Sequence, residues 1–349
     1  MKGFEEAMHM ADALISPAVG LTMAAVGVAA VGVSVARVKS EELGENKVPI
    51  MGVAGAMVFA AQMINFTIPG TGSSGHIGGG ILLAGLLGGG PAFLSIAAVL
   101  IIQCLFFADG GLLALGCNIF NLGVIPCLVV YPLVFRNIMK GGASYRRLSA
   151  ASVVSAVIGL ALGAFCVVIQ TLLSGVTQLP FGAFSALMLP IHLAIGLVEG
   201  VVTAAVLCFI YRMRPEIIDS AQSGKGIDGV SAKEALLALA ALAIIAGGAL
   251  SLFASSKPDG LEWAVEKTAE RAVGDGIVPE AEGGVFQAAS SVQESTAFMP
   301  DYAFEHDSEN AAGTSTAGLV GAVCTFALAG AVGFVITKIK KRKASAANA

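Results

Sequence analysis

Apolar residues run along this chain in long blocks, and the length of the blocks decides the fold class. A helix needs about 20 apolar residues, each rising about 1.5 Å, to cross the hydrocarbon core of a bilayer. On that measure apolar segments fall at 13–36, 48–66, 77–90, 91–109, 112–135, 149–174, 186–211, 234–254 and 317–337. The pattern predicts an all-α polytopic membrane protein of about nine transmembrane helices, seven in a first module and two in a second. The third segment is short and glycine-rich, and it leaves through an uncharged Gly88-Gly89-Gly90-Pro91.

Composition agrees with this pattern. Of 349 residues 56% are hydrophobic and only 13% charged, with a mean hydropathy of +0.83, whereas a soluble domain carries about 25% charged residues. The expected surroundings are a lipid bilayer, as in a multi-pass protein of the cytoplasmic (inner) membrane. The net charge of −4 is sharply segregated along the chain and gives no footprint for nucleic acid. The six cysteines all lie inside apolar runs without a Cys-x-x-Cys spacing, so they read as small core residues. Gly159-x-x-x-Gly163 and Gly196-x-x-x-Gly200 predict close helix packing.

The polar connections set an orientation. Arg37, Lys39 and Lys47 follow the first segment, Arg136, Lys140, Arg146 and Arg147 the fifth, Arg212 and Arg214 the seventh, and five basic residues from Lys338 to Lys343 the ninth. The connections after segments two, four and six carry no Lys or Arg. Since basic loops stay in the cytoplasm, the amino terminus is expected outside and the carboxyl terminus inside. Residues 255–316 hold twelve acidic residues against three basic ones and read as a solvated outer loop. Residues 216–233 read as a cytoplasmic linker; their Gly224-Lys225-Gly226 lacks the context of a phosphate-cradling loop, so the chain brings no ATPase of its own.

Candidate chemistry gathers on the outer side. With Met8 as the amino terminus, its amine, the deprotonated amide of His9 and the His9 imidazole close fused chelate rings in one plane, a nitrogen set suited to Ni(II), Cu(II) or Co(II). His76, in the loop from Gly70 to Gly80, supplies the fourth ligand. Residues 1–7 precede Met8 and lack the apolar core of a secretory leader; the expectation is a start assigned too far upstream, or their removal. Gln62 and Asn65 share a helix face, and they act either as interhelical hydrogen-bonding groups or behind the ligands. Thr71, Ser73 and Ser74 are candidates for fixing the imidazole tautomer. His192 and Glu199, two turns apart inside the seventh segment, mark a pathway or switch, because ionisable groups at that depth are costly. Asp109 reads as an interfacial cap and His306 as solvent-exposed.

Met8-His9-Met10-Ala11-Asp12-Ala13-Leu14-Ile15-Ser16-Pro17, Ser73-Ser74-Gly75-His76, the run from Phe107 to Gly116, Asn118-Ile119-Phe120-Asn121 and the run from His192 to Gly200 together resemble the CbiM/NikM family. These are the substrate-specific membrane components of energy-coupling factor transporters for cobalt and nickel. The resemblance covers residues 8–215. Beyond it, residues 234–349, with Pro258-Asp259-Gly260-Leu261-Glu262-Trp263, resemble a fused CbiN/NikN or PDGLE-type module. The resemblance implies a square-planar site on Met8, His9 and His76 and transported Ni2+ or Co2+ with no permanent cofactor. It further implies an ATP-driven import in which a transmembrane coupling subunit and cytoplasmic ATPase subunits are separate partners, and a link to cobalamin biosynthesis. The chain itself is then a transporter subunit and not an enzyme.

Two other classes compete. An ion-coupled secondary transporter would relay protons through His192 and Glu199, although the polar groups favour the outer mouth over the midplane. Gly72-Ser73-Ser74-Gly75 also matches the serine motif of rhomboid-type intramembrane proteases, with Ser74 as nucleophile and His192 as base.

Overall fold

The computed structural model describes residues 9–38, 40–226, 232–272, 283–304 and 311–347. Met8 and His306 lie outside them. Among the described residues seven helices are long and apolar enough to cross a membrane, and Lys47–Gln62 is a shorter apolar helix. The protein is an all-α polytopic membrane protein.

The chain enters α1 (Pro17–Arg37) through Ser16, whose hydroxyl accepts from the Val19 N–H, with Pro17 at the first helical position. α2 (Ser40–Gln62) follows, then a two-residue hairpin of β1 (Phe66–Thr67) and β2 (Ser74–Gly75) with Phe66 opposite Gly75. The third apolar segment forms only α3 (Gly80–Leu87). Eight residues rise about 12 Å, too little to cross alone. The non-helical run 75–79 before it adds at most about 16 Å, and together they reach from the histidine end of the bundle to the basic end, where a Cβ on Gly88 would stand 3.2 Å from the Ala221 carbonyl. Non-helical backbone at that depth is tolerated only when enclosed by protein.

α4 (Gly89–Phe107) is the most enclosed long helix, 78% buried over its apolar window. α5 (Leu115–Met139) takes a π register over Phe120–Phe135, where Pro126 and Pro132 lack the amide hydrogen of an α-helical ladder. α6 (Tyr145–Ser174) and α7 (Phe181–Met213) pack closely along their glycines; a Cβ on Gly196 would lie 2.8 Å from Val157 Cα and one on Gly200 2.6 Å from Val153 Cα. The stretch expected as a plain linker contains α8 (Pro215–Ser223), with Ile217 and Ile218 buried against the bundle.

The fused module is part of the same bundle. α9 (Lys233–Gly248) and α12 (Ala311–Ala347) lie along α2: a Cβ on Gly52 would meet the Phe326 ring at 2.9 Å, and Gly318 and Gly247 face each other across α9 and α12. The acidic segment between them is more than a solvated loop. It folds into α10 (Gly260–Ala272), packed on α7, and α11 (Gly284–Thr296), packed on α4. Leu261, Ala264, Val265, Phe286 and Tyr302 are buried there. Its acidic residues are spaced so that each helix keeps an apolar stripe, a periodicity that the bulk composition hides.

Candidate metal centre

His9 and His76, 67 positions apart, meet at one end of the bundle with ring centroids 5.5 Å apart and planes tilted by 50°. They line a cavity of about 70 Å3 with Asn118, Asn121, His192 and Asp259 on its walls.

His9 stands on an arm held by side chains. Its Nδ1 donates to Asp109 Oδ2 at 2.8 Å, both groups being buried. Asn118 grips the next residue in both directions: the Met10 N–H donates to Asn118 Oδ1 at 3.1 Å and Asn118 Nδ2 donates to the Met10 carbonyl at 3.2 Å. Asp12 Oδ1 accepts from the Ala114 N–H at 2.9 Å. Gly110, at φ +76, permits this docking, because a Cβ there would sit 2.8 Å from His9 Cβ. Asp109 follows Ala108, which ends α4 in the left-handed conformation (φ 53). Asp109 is therefore the carboxylate that orients His9, a role beyond the interfacial cap expected of it. Burial alone lowers the His9 pKa, but the adjoining Asp109 charge outweighs it and the imidazole is held above its ordinary value. Burial likewise opposes Asp109 ionisation, yet His9 and the Tyr302 hydroxyl hold the carboxyl below its usual value.

His76 stands on a loop held by backbone. Its Nδ1 donates to the Ile77 carbonyl at 3.1 Å, which leaves Nε2 as the nitrogen with the lone pair in the neutral ring. Two residues on, both oxygens of Glu199 accept main-chain N–H groups, from Gly78 at 2.8 Å and Gly79 at 3.0 Å. Gln62 Nε2 donates to the Gly78 carbonyl at 3.0 Å, and its own Oε1 accepts from Gln103. Thus Gln62 and Glu199 both hold the loop behind His76. His192 lines the cavity with its Nδ1 donating to the Met188 carbonyl at 2.8 Å.

The serines and Asn65 serve a different contact. The Ser74 hydroxyl donates to the Lys257 carbonyl at 2.7 Å and the Ser74 N–H to the Pro258 carbonyl at 2.8 Å. Ser73 bonds Thr71, and the main-chain carbonyl of Asn65, not its side chain, accepts the Ser255 N–H at 2.8 Å. The tautomer of His76 is set by Ile77 instead. Ser74 and His192 are each committed elsewhere, so the pair a protease reading needs is not formed.

Asp109, Asn118, Asp259 and Tyr302 are the residues that sequence reasoning undervalued. Tyr302 donates to Asp109 Oδ2 at 2.5 Å, and its ring stacks on Phe107 at 4.9 Å. Gln293 Nε2 donates to the Gly110 carbonyl at 2.9 Å. The acidic segment was expected to be a solvated outer loop with His306 exposed, yet through Asp259, Gly260 and Leu261 it supplies a wall of the cavity. The available signal was an acidic or amide residue beside a glycine in an otherwise apolar stretch, as in Asp109-Gly110 and Asp259-Gly260.

Among the described residues no three His, Cys, Asp or Glu side chains cluster as a metal-holding group. The His9 and His76 imidazoles meet in this cavity, with His192 and the Asp259 carboxylate on its wall; two imidazoles alone do not complete a coordination shell, and main-chain nitrogen, a terminal amine, a carboxylate or solvent can fill the remainder.

Comparison with known proteins matches this architecture. Residues 9–217 match the family model described as the cobalt uptake substrate-specific transmembrane region, CbiM, and residues 233–338 match the PDGLE domain. A putative fused nickel transport protein of Archaeoglobus fulgidus is 32% identical over 335 residues, 95% of this chain and 98% of its own length. A putative metal transport protein of Haloquadratum walsbyi is 36% identical over 213 residues, 60% of this chain and 93% of its own. Among solved structures, a truncated transition metal transporter superposes with a TM-score of 0.52 at 28% identity, covering 59% of this chain and 99% of its own. From residue 9 to residue 217, therefore, the chain belongs to the CbiM family of substrate-specific transmembrane proteins, and a PDGLE domain is fused behind it.

Proposed function

We propose that this protein is the substrate-capturing membrane component of an importer for Ni2+ or Co2+. The observation that carries the reading is the meeting of His9 and His76 on one buried cavity. Relatives named as a putative fused nickel transport protein and a putative metal transport protein support it. The ion is held by the His9 and His76 imidazoles, by the His9 amide and, where Met8 is terminal, by its amine. This set is planar, and Ni(II) accepts a plane of nitrogens more readily than Co(II), which favours nickel. A chelate with the residue's own amide closes only through Nδ1 of His9, the nitrogen now turned to Asp109. A half-turn about Cβ–Cγ exchanges the ring edges and brings Nε2 to the carboxylate side, so Asp109 becomes the outer partner of a metal-bound imidazole.

The basic residues that follow α1, α5 and α7 support an orientation with that end of the bundle in the cytoplasm and the histidine cavity at the outer face. Energy comes from separate ATPase subunits acting through a transmembrane coupling subunit. Calorimetric titration of the purified full chain with Ni2+ tests the site. His9→Ala and His76→Ala are each expected to lower affinity by at least about a hundredfold, exceeding the about 10–100-fold cost of losing an outer partner. Parent-like binding in either folded variant rejects the shared site. Uptake that proceeds in cells without any ATPase subunit rejects the coupling.

A further inference from the structure

Asp259 reaches the cavity from the fused module and is 7% exposed. Its Oδ1 accepts the Glu262 N–H at 2.7 Å and so caps α10. That cap accounts for one oxygen. The other, Oδ2, stands 4.0 Å from His76 Nε2, the nitrogen whose lone pair faces away from the Ile77 carbonyl. The backbone around Asp259 is fixed on both sides. The Pro258 carbonyl accepts the Ser74 N–H, and a Cβ on Gly260 would lie 2.9 Å from Ile195 Cδ1 and 3.3 Å from His192 Cε1. A helix cap alone gives no reason to drive a carboxylate into a histidine-lined cavity, where burying its charge is costly unless a cation compensates it.

The spacing fits a cation. First-row divalent ions such as zinc bind imidazole nitrogen at about 2.0–2.1 Å and carboxylate oxygen at about 2.0–2.2 Å. One ion between His76 Nε2 and Asp259 Oδ2 therefore spans up to about 4.3 Å, close to the observed 4.0 Å. With those bond lengths the angle at the ion is about 140–180°, so Asp259 takes the position broadly opposite His76. In a plane of four nitrogens that position belongs to the His9 amide. Asp259 and the amide compete for it.

We propose that Asp259 is a loading ligand: the incoming divalent cation is first held between the Asp259 carboxylate and His76 Nε2, and it passes to the nitrogens of His9 when the carboxylate lets go. The inference rests on the reading of His9 and His76 as the ion's ligands. It gives the fused module a chemical role at the site, with oxygen accepting the hydrated cation and nitrogen retaining it. Since the loading position lies on the way in and on the way out, its loss slows both directions and leaves the equilibrium nearly unchanged.

The test uses the full chain in lipid nanodiscs and Ni2+ alone as probe, followed by stopped-flow quenching of Trp263, the single tryptophan, which is packed beside Ile191 and Ile195. Asp259→Asn keeps an acceptor for the α10 cap and removes the charge; Asp259→Ser does the same with a different shape, should the first variant fold poorly. Association and dissociation rates are both expected to fall about tenfold or more, with the dissociation constant within about threefold of the parent. The rate loss persists at about 0.5 M salt, where simple steering by charge is screened. A parental association rate in the folded variants overturns the proposal, as does a loss that disappears in salt. A fall in equilibrium affinity as large as that of His76→Ala also overturns it, by making Asp259 a permanent ligand. If His9→Ala and His76→Ala bind like the parent, the underlying reading fails; if they lose binding while Asp259→Asn loads at the parental rate, only the loading role fails.

Discussion

The two histidines of the cavity are held in opposite ways. His9 sits on an arm that continues into a single 3-10 turn (Asp12–Leu14) and is tied to α5 and the turn before it: Asp109 on the ring, Asn118 on Met10, and the arm's own Asp12 accepting from the Ala114 N–H. His76 sits on a glycine loop whose main chain is pinned from outside by Glu199 of α7 and Gln62 of α2. One ligand is placed by contacts close to itself, the other through the backbone two residues away. The difference teaches where each ligand is vulnerable. Behind His76 one buried carboxylate takes two adjacent N–H groups and Gln62 adds a single bond to the Gly78 carbonyl, whereas the His9 arm divides its hold among three residues.

The largest effect expected outside the ligands themselves is therefore at Glu199. Glu199→Ala leaves the Gly78 and Gly79 N–H groups without acceptors inside the bundle, at a cost of about 1–3 kcal/mol each. Ni2+ affinity is expected to fall toward the upper part of the about 10–100-fold range of an outer partner. Thermal melting and calorimetry on the same sample check both. A Glu199→Ala protein with parental stability and affinity shows that the loop is set by its hairpin alone. Asn118→Ala removes both bonds to Met10 but leaves Asp12 and Asp109 in place, so the fall is expected nearer the lower end, about tenfold. Equal losses in the two variants would erase the contrast between arm and loop.

Asp109→Asn sharpens the comparison most finely. Ni2+ needs an unprotonated His9 nitrogen, so affinity falls as pH drops through the pKa of that ring. Asp109 is what raises this pKa against the lowering effect of burial. Without its charge the pKa falls, and the pH midpoint of Ni2+ binding is expected to move to lower pH. Asn keeps an acceptor for the His9 ring and His76 does not gain its position from Asp109, so the loss of affinity at high pH should stay below the about tenfold lower end for a lost outer partner. Calorimetry across a pH series reads the midpoint; an upward move contradicts the account.

These residues also divide what was legible in the sequence from what was not. The helical, membrane-spanning class was visible because block length and hydropathy are local properties. His9 and His76 stood out because imidazoles are scarce in so apolar a chain, and Glu199 because a carboxylate in a membrane helix demands a reason. What Glu199 does was hidden, since its partners are the main-chain amides of two glycines 120 and 121 positions away. Asp259 and Tyr302 were hidden in a segment of twelve acidic residues, Asp259 among them, because which member of a polar segment turns inward is decided by packing across the bundle. The short α3 was foreshadowed by its glycines, but the extended approach to it depends on Glu199 and Gln62 satisfying buried backbone.

The central claim is that one ion is shared by His9 and His76. X-ray absorption at the nickel K edge, recorded on the full chain loaded with Ni2+, tests it directly by counting imidazole rings through their outer-shell scattering. The account predicts two imidazoles in the parent and one in His9→Ala or His76→Ala at Ni2+ concentrations high enough to load the variant. A single imidazole in the parent, or a spectrum unchanged by His76→Ala, would contradict it.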